Sequence, residues 1–66
     1  MTDDEIFTEV RRIKNRLIDC KTEAEIAAVA NEERARVKEI AEADRVQAIH
    51  IANLKAYQIR IVRGEL

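Results

Sequence analysis

The chain has 66 residues with no proline, one glycine, one cysteine and one histidine; 47% are apolar, 38% charged, and the net charge is -1. That mixture, rich in helix formers and poor in turn formers, excludes a disordered chain and a β-sandwich or barrel. One Cys and one His exclude a disulfide framework and a Cys/His zinc site. Length allows a single small domain over residues 1–66, which buries only about 60% of its unfolded surface unless it associates. A weak net charge gives no global field for nucleic acid. Acidic residues stand where a signal peptide needs bases, and no apolar run reaches membrane-spanning length, so a cytoplasmic protein is expected.

Thr2 followed by Glu5 fits a capping box, with Asp3 and Asp4 well placed in the positive field of a helix start. From there Ile6, Val10, Ile13, Leu17 and Cys20 recur at helical spacing, with Phe7 and Ile18 widening the stripe, which predicts a helix over residues 3–20. Thr22 with Glu25 repeats the start signal and predicts a second helix over 23–42, its inner side marked by Ile26, Val29, Ala30, Val37 and Ile40. Glu32 and Arg36 are placed for a pair on its outer face. Asp44 with Gln47 is a weaker cap, placing a break near 42–44 and a third helix over 45–62. The competing picture is one unbroken helix from residue 23 to 62, about 60 Å long. Gly64 is a natural stop. Residues 58–62 alternate like a strand, but one strand has no partner. The expected class is therefore all-α: a small three-helix bundle, or a helical hairpin with a long second arm, and self-associating.

The last helix is apolar nearly all round. Leu54, Ile61, Val46 and Tyr57 fall on one side, Ile49, Ala52, Ala56 and Ile59 on another, and Ile51 and Val62 on a third. Such a helix needs cover on several sides, and a second copy of the chain, as a dimer, supplies it most simply. Ala48, Ala52 and Ala56 at every fourth position would permit close approach. Along the same helix His50, Asn53, Tyr57 and Arg60 form a polar seam, either a layer fixing register or a partner interface. Charge is unevenly spread: residues 22–44 carry net -4 and residues 45–66 net +3, which favours pairing of the second and third helices.

Chemistry finds little to work with. Cys20 and His50 lie on different predicted helices, Glu39 and Glu42 fit a solvated face, and neither a phosphate loop nor a Glu-x-x-His pair occurs. No enzyme, cofactor or metal is expected. Arg11, Arg12, Lys14 and Arg16 gather four bases on the outside of the first helix. They suit a phosphate backbone or an acidic protein surface, so nucleic acid is the alternative partner to an unidentified protein.

The stretches Glu9-Val10-Arg11-Arg12-Ile13-Lys14-Asn15 and Ile51-Ala52-Asn53-Leu54-Lys55-Ala56-Tyr57 resemble small early-region proteins of lambdoid bacteriophages, encoded between the excisionase and exonuclease genes. The resemblance implies a helical, non-enzymatic protein acting on host or phage regulators in the lysis–lysogeny choice, in the host cytoplasm. It carries over no functional residues. The leading expectation is a self-associating protein-interaction module.

Overall fold

The computed structural model describes residues 1–65. They form four helices, α1 (Asp3–Ile18), α2 (Glu23–Glu32), α3 (Arg34–Ala43) and α4 (Arg45–Val62), and no strand among the described residues. Both threonine caps form as expected. The Thr2 hydroxyl accepts from the Glu5 amide at 3.2 Å while the Glu5 carboxylate accepts from the Thr2 amide at 3.4 Å. Thr22 accepts from the Glu25 amide at 3.1 Å. The first helix ends at Ile18, short of residue 20, where the Asp19 amide closes the last turn on Asn15.

Asp44 ends the unbroken-helix picture. Its backbone is extended, at φ -155° and ψ 95°, and its carboxylate accepts from the Val46 amide at 3.1 Å, which starts α4. At the far end Gly64 takes φ +74°; its amide donates to Ile61 and the Glu65 amide to Arg60, the paired bonds of a left-handed helix stop. Residues 58–62 are thus helical to Val62.

The expected helix over 23–42 is corrected to two helices meeting at Glu33, whose φ of -93° and ψ of 2° leave helical geometry. Neither glycine nor proline forces this. The Glu33 side chain turns inward onto arginines of α1, and the bend lets α2 and α3 both pack on α4. It also parts Glu32 from Arg36, so the expected pair between them is replaced. Glu32 meets Arg16, and Arg36 meets Glu9 and Glu39.

The α1 stripe is the heart of the core. Ile6, Val10, Ile13, Leu17 and Cys20 are buried together with Ile26, Val29, Ile40 and Ile51. Phe7 and Ile18 do not widen it; they are 60% and 50% exposed. Gln58 is buried and donates its amide to the Ile18 carbonyl at 3.3 Å and the Cys20 carbonyl at 3.4 Å. Gln47 and His50 share a groove with Phe7–Ile18 while Gln58, farther along α4, reaches the end of that stretch, so α4 runs beside α1 in the same direction. The α2–α3 arc runs back: Glu23 pairs with Arg63 at 2.6 Å, the one bridge that joins the acidic middle segment to the basic α4 end among the described ion pairs. Gln58→Leu keeps the volume but leaves the buried Cys20 carbonyl and the part-buried Ile18 carbonyl without a donor, and is expected to cost about 1–2 kcal/mol in urea unfolding. A neutral result would show those carbonyls reaching water.

Candidate interaction surface

The four bases of α1 do not act as one patch. Consecutive helical residues are separated by about 100° around the axis, so Arg11 and Arg12 point to different flanks. Arg12 and Arg16 turn toward α2 and α3. The Arg12 guanidinium grips Glu9 at 2.8 Å and chelates Glu33, while Arg16 reaches Glu33 and Glu32, each at 3.4 Å. Arg36 closes the network onto Glu9 at 2.8 Å.

Hydrogen bonds from Arg12 and then Arg36 hold the Glu9 carboxyl at about 2, well below the usual carboxylate range. Glu33 is likewise lowered, chiefly by the Arg12 hydrogen bond, which outweighs the opposing effect of burial. The arginines are raised in return. Glu9 and Glu33 were not singled out from the sequence as site residues, and Arg36 was paired there with Glu32; the Arg12–Glu33 and Arg36–Glu9 pairs form through the fold, and a buried Glu at a helix joint had no local signal.

Arg11 and Lys14 face the other flank, beside α4. With Phe7, Asn15, Gln47 and His50 they line a surface groove of about 500 Å³. Of the polar seam, His50, Asn53, Tyr57 and Arg60 are all exposed, and none makes a side-chain hydrogen bond among the described residues. An internal layer fixing register within one chain is therefore not what they form. The alanine stripe is divided: Ala48 packs against the core, whereas Ala52 and Ala56 are exposed beside Ile49. Ile59 also packs inward. A hollow of about 220 Å³ opens next to Ala52, walled by Leu17, Val29, Val37, Ala48 and Ile51.

Cys20 is buried, donates to the Arg16 carbonyl at 3.2 Å, and burial pushes its thiol pKa up, away from thiolate chemistry. No helix among the described residues is long and apolar enough to cross a membrane. No family model, no curated protein and no solved structure matches the chain. The surface leaves large apolar side chains in water, among them Phe7 and Ile18 on α1 and Val46, Ile49, Tyr57 and Ile61 on α4.

Proposed function

We propose that the chain is a small non-catalytic helical interaction module that pairs with a second copy and binds another protein. The carrying observation is α4, which buries Ile51 yet leaves Val46, Ile49, Tyr57 and Ile61 each between 43% and 55% exposed. An acid-free helix with apolar groups on opposite sides has more contact surface than one chain covers. Pairing uses the outer side of α4: Ile49, Ala52 and Ala56 form a low ridge at spacings that allow close helix approach, flanked by Asn53 and Arg60. The hollow beside Ala52 can seat a side chain of the second copy. A standard interface takes about 800 Å² from each partner, roughly a sixth of the 4565 Å² surface of one chain.

A regulatory role in the early region of a lambdoid phage rests on the resemblance of Glu9–Asn15 and Ile51–Tyr57. The nucleic-acid alternative draws on Arg11 and Lys14 alone, because Arg12 and Arg16 already hold carboxylates.

Sedimentation at two concentrations tests the pairing. A dimer is expected at the higher one, and Ile49→Glu, on an exposed position that the fold does not use, is expected to give a monomer at both. A native chain that stays monomeric at high concentration would falsify the reading.

A further inference from the structure

Two stripes of exposed and half-buried side chains flank the groove between α1 and α4. On α1, Phe7, Arg11, Lys14 and Ile18 follow one another at spacings of 4, 3 and 4. On α4, His50, Leu54, Tyr57 and Ile61 repeat those spacings, with Val46 one turn earlier. The two helices run in the same direction, and Gln58 at the Ile18 carbonyl sets Val46 about level with Phe7 and Tyr57 about level with Ile18, with Ile61 one turn beyond. Each has apolar groups toward its ends, and Arg11, Lys14 and His50 lie on the walls between them.

No carboxylate balances these bases locally. The α4 segment contains no Asp or Glu, and Glu9 is turned to the opposite flank by Arg12 and Arg36. Asp3, Asp4 and Glu5 are confined to the first turn of α1. Arg11 and Lys14 take part in none of the described ion pairs.

We propose that this groove is the docking site for an acidic amphipathic helix of a partner protein, one whose buried face carries carboxylates between apolar anchors. The inference rests on the interaction-module reading and names the partner's chemistry. Length fits: Phe7 to Ile18 spans about 16 Å, or three turns of a bound helix. A helix laid along the groove sets its apolar ends on Phe7 and Val46 at one end and on Ile18 and Tyr57 at the other. Its middle turn then brings carboxylates to Arg11, Lys14 and His50, the helix-in-groove mode with charge setting register.

A second copy of this chain fits worse. A two-fold axis through the groove would set Arg11 and Lys14 against the same two groups, and like charges facing each other oppose pairing. A phosphate backbone would meet the bases but leave Phe7, Ile18 and Ile61 in water.

The test uses the full chain and a synthetic fluorescent helical peptide about four turns long, with leucines at i and i+11 and glutamates at i+4 and i+7. Saturable binding is expected, at least tenfold tighter than for the same peptide with glutamines. Arg11→Glu with Lys14→Glu is expected to abolish that preference and to transfer it to a peptide carrying lysines at the two positions. Amide chemical shifts should move along Phe7–Ile18 and Val46–Ile61. Equal affinity for the glutamate and glutamine peptides, no transfer of preference, or shifts centred on α2 and α3 would each overturn the proposal. So would a nucleic acid duplex that binds the groove with higher affinity than the peptide. Sedimentation of the Arg11→Glu, Lys14→Glu chain separates the two readings: dimerisation through Ile49 persists whether or not the peptide binds.

Discussion

Ile40→Ala is expected to lower the stability of the domain by about 3 kcal/mol, the usual cost of deleting a fully buried branched side chain. Ile40 has no exposed surface and joins α3 to the core that α1 supplies. A domain of this size holds about 3–10 kcal/mol in all, so the variant should melt roughly 10–20 °C lower and be partly unfolded when warm. Phe7→Ala is the informative companion. It removes a larger side chain, yet Phe7 stands in solvent, and the expected change is within about 0.5 kcal/mol. If the two variants lose stability equally, the division of α1 into a buried stripe and an outer one is wrong.

Arg12→Met should give the second largest loss. Arg12 bridges Glu9 and Glu33, and without it Glu33, whose side chain is 9% exposed, keeps only the longer contacts to Arg16. Stranding a buried carboxylate is costly, but Arg12 itself is partly in water, which reduces the expected loss to about 2 kcal/mol at neutral pH. The pH dependence identifies the cause. Carboxylates with folded pKa values below their unfolded ones stabilise the fold above the unfolded value, and that contribution fades as pH falls through the folded value. For Glu9 the window runs from 4.5 down to about 2, and Glu33 shifts in the same direction. The native protein should therefore lose stability on acidification through this window, while Arg12→Met, already lacking the bridge, should lose less. Melting curves of the two that stay parallel from neutral to acid pH would show that Arg12 contributes by packing and not by charge.

What was legible from the chain was whatever is decided within a few residues. The Thr2–Glu5 box, the Ile6-to-Cys20 stripe and the Asp44 cap each combine a local hydrogen bond with helical periodicity, and each stands where it was expected. The bend at Glu33 was not legible. It depends on Arg12 and Arg16, 21 and 17 residues away, and helix propensity at Asn31–Ala35 gives no warning of it. The site was legible in part. Arg11 and Lys14 were found as bases, and His50 and Tyr57 as interface groups. Grouping Arg11 with Arg12 by closeness in the chain hid the stripe of Phe7, Arg11, Lys14 and Ile18, although its spacing is plain. Which flank of a helix meets solvent is set by its neighbours, and that requires the tertiary arrangement.

The seam between α1 and α4 also governs the order in which the molecule assembles. Only Glu33 separates α2 from α3, and only Asp44 separates α3 from α4, so the last three helices meet through short chain closures. Gln58 is separated from the Ile18 and Cys20 carbonyls to which it donates by 40 and 38 residues. Closing a loop of that length costs more entropy than closing a short one, and sequence-distant contacts slow folding. The α1–α4 contacts, the most distant in the chain, are therefore expected to form last, after the shorter closures among α2, α3 and α4 and between α1 and α2. Until that seam closes, part of the surface of Ile51 stays in water, and the chain is expected to be most prone to aggregate.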